Sequence, residues 1–419
     1  MGYRVAMIVA GAVPLVLADL YNWNLSYAVM AALMGFGIAG VLFAPREKAH
    51  KIRPIPVGDV PSRPKLEVVE WIVRLAVIGI AAMFLGAGLT GQSAPLNALF
   101  GLFGLEADGK ASVAAALSAK PEGVYLQFGL VLIGLVVMVM ACWPLPGVRT
   151  RPGAYLAGSF GQPLADFYRR FSGVATLILA LICVYRLADF VLNIMPPFYL
   201  DLGFSKTELA EVRKVFGVIM TTVGVFVGGW SVARLGLIRT MVIGAFMSPA
   251  SNLVFAWLAT QGHSLPALTV AIGVDNVSSG YAGTALIAYM SSLTSIGFTA
   301  TQYALFTSLY ALPGKLIASQ SGRIVEASAR AAEGNGPFAG LRGLFANLQE
   351  GVLTAGAATS GVSPAALGAG YVAFFLYSFV IGLFGIVLAF VVAGKQIALQ
   401  KRRESEAAED PAVAATAVS

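Results

Sequence analysis

Apolar runs about as long as a bilayer is thick recur along this chain, and they constrain its fold more than any other feature. About 20 apolar residues suffice to cross the hydrocarbon core as a helix, the element that satisfies its own backbone polar groups there. Such runs fall at Tyr3–Leu20, Ser26–Phe43, Trp71–Thr90, Tyr125–Trp143 and Gly173–Phe198. Five more follow at Val215–Val232, Met241–Thr260, Ala267–Leu293, Thr301–Ser319 and Tyr371–Val392. The expectation is an all-α, polytopic membrane protein with about ten transmembrane helices. Composition excludes the soluble alternative. With 58% hydrophobic and 12% charged residues among 419, there is too little charge to clothe a hydrated exterior.

The net charge of +7 would suggest nucleic acid in a soluble protein, but here the basic residues sit in short loops between apolar runs. Arg46, Lys48, Lys51, Arg53, Arg63, Lys65, Arg149, Arg151, Arg169, Arg170, Arg234, Arg239, Lys395, Lys401, Arg402 and Arg403 fall on one side. The positive-inside bias makes that side cytoplasmic, with both termini on it. No cleavable signal peptide opens the chain. Cys142 and Cys183 lie inside apolar runs, and His50 and His263 form no metal cluster, so no disulfide, metal or other cofactor is expected. Tyr125 and Trp143 bracket one span as interfacial aromatics, and Arg74 reads as a snorkelling side chain near the cytoplasmic end of another.

Three motif matches mislead. Gly86-x-Gly88-x-x-Gly91 and Gly35-x-Gly37-x-x-Gly40 fit a dinucleotide fingerprint, but neither follows a strand, so both read as helix-packing or helix-end glycines. Gly104-x4-Gly109-Lys110 looks like a phosphate loop, yet Ala111 stands where Ser or Thr must hold magnesium. Nothing supplies an ATP motor, and an ion gradient is the expected driving force. The chain does not read as an enzyme.

Ionisable and polar groups inside spans are costly and mark candidate sites. Asp189 and Arg186 lie three apart on one helix face, as a static pair or as a functional one. Asp275 sits mid-span beside Asn276, with no basic residue within a turn of it. Such a carboxylate is costly to ionise and exchanges protons near neutrality. Lys214 opens one span, Asn252 with Ser248 and Ser251 forms a polar patch in another, and Gln302 and Tyr303 mark a third. Tyr281, Tyr289, Tyr303 and Tyr310 either pack between helices or face a polar cavity.

Several of these segments carry a resemblance. Tyr185-Arg186-Leu187-Ala188-Asp189, Asp201 through Glu208, Asp275-Asn276 with Gly280–Thr284, and Phe298 through Leu305 resemble AmpG-type muropeptide permeases of the major facilitator superfamily. The opening Gly2-Tyr3-Arg4-Val5-Ala6-Met7 resembles that family's fifth helix. Residues 1–50 and 160–320 carry the likeness. Gly229-Trp230-Ser231-Val232-Ala233-Arg234-Leu235-Gly236 is similar to the superfamily's gating loop, with Gly229, Arg234 and Gly236 in place and Ala233 where the acid belongs.

The resemblance implies a partial major facilitator fold lacking the first four helices, because the chain start is misassigned, the chain is a fragment, or a partner supplies an N-terminal bundle. Residues 1–44 would be the last two helices of that bundle, 45–70 a basic cytoplasmic linker, and 71–145 an inserted helix pair with an external loop. Residues 146–171 would form a second cytoplasmic linker and 172–394 a C-terminal six-helix bundle with an external, low-complexity loop at 320–367, in which Leu341–Leu348 could form a short amphipathic helix. Residues 395–419 would be a disordered cytoplasmic tail.

The implied function is proton-driven import of anhydro-muropeptides across the bacterial inner membrane for cell-wall recycling, linked in the family to β-lactamase induction. Asp275 or Asp189 would couple the proton. Arg186, Lys214, Asn276, Asn252, Gln302, Tyr303 and Tyr281 would bind the glycopeptide. The alternatives are a carrier of acetyl-CoA or another anionic metabolite, and a non-transporting membrane scaffold.

Overall fold

The computed structural model describes residues 23–44, 60–102, 104, 107–119, 123–143, 150–318 and 320–409. Every regular element among them is helical. The chain divides into two units, residues 1–54 and 55–419. In the first, the run expected at Ser26–Phe43 is helix α1, Trp23–Phe43. The run at Tyr3–Leu20 and the linker arginines and lysines before residue 60 lie outside the described residues.

The second unit opens with α2 (Pro64–Thr90) and α3 (Gly123–Cys142). They pack closely because glycines face the partner helix. A Cβ on Gly88 would lie 2.7 Å from Val131 Cγ2, and one on Gly134 would lie 2.8 Å from Leu85 Cγ. Gly91 ends α2 at φ 69°, so the Gly-x-Gly-x-x-Gly pattern here is helix packing and a helix end, as read. Tyr125 and Trp143 are exposed at the two ends of α3.

Arg74 corrects the sequence reading. It is buried rather than snorkelling: it pairs with Glu70 at 2.8 Å and donates to the carbonyls of Ala141 (2.5 Å) and Trp143 (2.9 Å). A cation satisfying the last carbonyls of a helix has no reason to reach for water. Glu70 also accepts from the Thr150 hydroxyl at 2.8 Å, and Trp71 meets Tyr155 edge-on at 6.1 Å, which docks the pair onto helix α4 (Arg151–Arg170).

The span expected at Gly173–Phe198 is broken. Helix α5 (Ala175–Val184) gives way to a short turn at Leu187–Phe190, a 3-10 turn at Val191–Ile194, and helix α6 (Met195–Asp201). Four helices follow: α7 (Gly217–Leu235), α8 (Leu237–Gln261), α9 (Leu265–Leu293) and α10 (Thr299–Ala318). The segment leading into α7 starts at Lys206 with a reciprocal cap, in which Ser205 Oγ accepts from Glu208 N and Glu208 accepts from Ser205 N. It then passes through a π-helical turn at Glu211–Phe216. Helices α7 and α9 meet backbone to backbone: a Cβ on Gly224 would strike the Val277 carbonyl, and one on Gly280 the Thr221 carbonyl.

Residues 320–367 hold more structure than their composition suggests. Helix α11 (Ser321–Glu333), a 3-10 turn at Ala339–Phe345 and a short helix at Thr354–Ser360 fold onto the start of helix α12 (Pro364–Glu409). Their core is apolar, with Phe345 wedged beside Gly368 and Leu353 fully buried. The tail also departs from expectation. Helix α12 continues through the Lys/Arg/Glu/Ala-rich stretch to Glu409, because those residues are strong helix formers.

Large apolar side chains such as Trp230, Phe384 and Phe390 stand exposed on the outer faces, where a soluble protein would place charge. Five helices among the described residues are long and apolar enough to cross a membrane, six if the pair Arg151–Arg170 and Ala175–Asp189, bent by 109°, counts as one span. Helices α9 and α10 stand where spans were expected, but polar residues, among them Asp275 and Asn276 in α9 and Gln302 and Lys315 in α10, keep them out of that set. The protein is an all-α, multi-pass membrane protein.

Candidate functional site

The break after α5 positions the first two charges. Arg186 lies just before the Leu187–Phe190 turn and Asp189 within it, so the pair points into the bundle rather than along a helix flank. Arg186 Nε donates to Asp189 Oδ2 at 2.6 Å, and Arg186 Nη2 donates to the same oxygen and to Ser279 Oγ of α9. Ser248 of α8 donates to the other Asp189 oxygen. Gly283 leaves room for the guanidinium: a Cβ there would sit 3.3 Å from Arg186 Nη1. The side chains of Arg186 and Asp189 are 15% and 16% exposed.

Their exposed edges border a cavity of about 530 Å³, which Asp275, Asn276, Arg213, Tyr199 and Tyr310 also line. Asp275 accepts a 3.2 Å hydrogen bond from Ser251 and, among the described residues, joins no ion pair. Asn276 is held by two bonds. Its Nδ2 donates to the Ile272 carbonyl at 2.8 Å, and its Oδ1 accepts from Thr221 of α7 at 2.7 Å. Four charged side chains from three segments therefore line one half-open cavity. That arrangement suits an anionic, hydrogen-bonding ligand and a carboxylate that trades protons with it.

The other expected site residues fall elsewhere. Gln302 is buried, and both ends of its amide are engaged. Its Nε2 donates to the Pro163 carbonyl (2.8 Å) and Asp166 (3.0 Å), while its Oε1 accepts from Ser295 N (2.8 Å) and Arg170 (3.1 Å). It ties α4 to the loop before α10, away from the cavity lining. Tyr281 is buried against Gly228 of α7, and Tyr303 packs beside the core formed by Phe167 and Phe306. Asn252 is fully buried, and neither of its side-chain polar atoms has a hydrogen-bond partner among the described residues. Lys214's side chain lies outside the described residues. Arg234 is exposed in the last turn of α7, and Gly236, at φ 82°, makes the sharp joint to α8.

Sequence reasoning missed Arg213. It chose the neighbouring Lys214 as the cation, because nothing in the residue pattern favours one of two adjacent basic residues or announces the π-helical turn that carries them. Tyr310, which the sequence noted without assigning, does line the cavity.

No family model matches the chain. Over 162 residues it is 35% identical to the putative transporter AmpG 4 of Rickettsia conorii, covering 38% of this chain and 39% of that one. Over 147 residues it is 35% identical to the putative transporter AmpG 3 of Rickettsia prowazekii, covering 35% of each. Over 193 residues it is 31% identical to the anhydromuropeptide permease of Escherichia coli, covering 46% of this chain and 39% of the permease. Its relatives are AmpG-type transporters. The likeness is partial, since the matched stretch spans 39% of the longest-covered relatives. These AmpG-type relatives are named as transporters and a permease, not as enzymes.

Proposed function

We propose that this chain forms the C-terminal bundle of a proton-driven importer of anhydro-muropeptides in the bacterial inner membrane, with both termini cytoplasmic. The observation that carries the reading is the cavity that unites Arg186, Asp189, Arg213 and Asp275 in a chain whose relatives include an anhydromuropeptide permease. A muropeptide brings several carboxylates and polar sugar edges, and such a cavity offers cations for the first and amides and hydroxyls for the second.

Asp275 is the proton-coupling carboxylate in this scheme, because it is the cavity acid without a cation bound to it. Asp189 holds Arg186 until a ligand carboxylate competes for the guanidinium. Asn276, next to Asp275 on α9, contributes hydrogen bonds to the ligand. The remaining candidates from the sequence, Lys214, Asn252, Gln302, Tyr303 and Tyr281, would shape the bundle around the ligand, and Gly229, Arg234 and Gly236 would flex at the cytoplasmic gate. A link to β-lactamase induction would follow from the import itself.

The test is uptake. The chain is expressed in cells unable to import anhydro-muropeptides, alone and together with the first four helices of an AmpG-type relative. Radiolabelled anhydro-muropeptide accumulating under an imposed pH gradient is the expected result. Uptake of acetyl-CoA instead would favour an anionic-metabolite carrier, and no uptake in either arrangement would favour a scaffold.

A further inference from the structure

The two cavity arginines are in opposite states. Arg186 is bonded through two nitrogens to Asp189 and through one to Ser279. Arg213 also lines the cavity, yet among the described residues it joins no ion pair. Its guanidinium carbon lies 5.4 Å from the centroid of the Tyr199 ring. That ring is itself fixed, buried against Phe198 at 5.6 Å and edge-on to Phe255 at 6.5 Å. A guanidinium resting on an aromatic face is attracted by the ring and keeps its N–H edge free, and that planar fork matches a carboxylate. The π-helical turn at Glu211–Phe216 completes the placement. Arg213 lies within that turn, where the backbone leaves the regular α-helical path.

We infer that Arg213, steadied on Tyr199 at the cavity wall, is the anchor for a carboxylate of the transported ligand. The inference rests on the muropeptide reading and sharpens it. Among the described residues Arg213 is the cavity cation with no carboxylate paired to it, and Arg186 joins only when its bond to Asp189 is broken. The recognised group is a carboxylate presented in the plane of the guanidinium, as the peptide termini of a muropeptide present theirs.

Equilibrium binding to the full chain in lipid nanodiscs tests this. The probes are a radiolabelled anhydro-muramyl tripeptide and the same compound with its carboxylates converted to amides. Amidation weakens binding to the parent protein ~10- to 100-fold, the range for losing a charge-assisted hydrogen bond. Arg213→Gln weakens binding of the unmodified probe by a similar factor, and amidation costs this variant little more, since both changes remove one interaction. Arg213→Lys falls between, keeping the charge without the fork.

The inference is overturned if Arg213→Gln binds like the parent, or if amidation penalises parent and variant alike. It is also overturned if the parent itself does not distinguish the probes, a measurement that involves no substitution and so no question of folding. In that last case binding survives and the muropeptide reading stands. If the parent binds neither probe, the muropeptide reading fails and takes this inference with it.

Discussion

Arg74 and Arg186 are both largely buried arginines in apolar surroundings, with side chains 6% and 15% exposed, and the two regions that hold them serve different ends. Arg74 is enclosed by the α2–α3 pair and α4. Its partners are Glu70 and two carbonyls at the end of α3, and it is not among the residues that line the 530 Å³ cavity. Arg186 has a carboxylate and a hydroxyl for partners, but one edge of the pair opens onto 530 Å³ of space shared with a second acid. An ionisable residue inside a span is thus not a site merely by being there. What separates the two is whether the charged group meets empty space that a ligand could fill.

Four changes would break or sharpen that comparison. The largest effect is expected from Asp275→Asn, which keeps shape and removes titration. In a transport-competent assembly it abolishes accumulation against a gradient while downhill exchange continues, and persistent uphill uptake at normal expression would make Asp275 structural. Next comes Arg74→Ala, which leaves Glu70 without its cation. Breaking a buried pair in this way costs about 3–5 kcal/mol, read as a lower thermal midpoint in detergent, with ligand binding per folded molecule unchanged. Lost binding at unchanged stability would erase the distinction drawn above.

Gly224→Val drives a side chain into the Val277 carbonyl of α9. Overpacking of this kind costs about 1–3 kcal/mol, and uptake should fall with the stability. An unaltered midpoint would mean that α7 and α9 are not in close backbone contact. The smallest effect concerns Glu333, whose carboxyl is held below the usual range by hydrogen bonds from the Ser363 hydroxyl (2.7 Å) and amide (2.8 Å). The folded-state value is depressed, so the stabilisation is present above the ordinary value and lost as pH falls through the lowered one. Ser363→Ala should therefore flatten the acid limb of the midpoint-against-pH curve below about pH 4, while the curve at neutral pH shifts only slightly.

The helices of the second unit were legible because a long apolar run has few other fates. Arg186, Asp189, Asp275 and Asn276 were legible for a related reason, since polar groups stand out against such a background. The faces were not. Helical spacing says which residues share a stripe but not which neighbour that stripe meets. Gln302 looked like a cavity amide and proved to be tied to α4, and Arg74 looked solvent-seeking and proved to be a helix-end cap. Arg213 was missed because the adjacent Lys214 offers the same charge and the residue pattern carries no sign of the π-helical turn that holds both. The break between Val184 and Met195 was read through as one span, because apolar residues continue on both sides of Arg186 and Asp189. Residues 320–367 were underestimated because alanine and glycine carry little hydropathy signal, although small residues are what let α11 lie directly on α12.

Helix α12 has one further consequence. Its 46 residues make a rod of about 70 Å, more than twice the depth of a bilayer core. One end is gripped by α11 and the buried turn around Leu353, and the other carries Lys395 and Lys401 well beyond the apolar stretch. A rod of that length works as a pointer: a small tilt where it crosses the bundle becomes a displacement of several ångströms at its tip. A spin label or fluorophore near Lys401 would therefore report rearrangements around the cavity from outside the membrane, without touching any residue that the ligand meets.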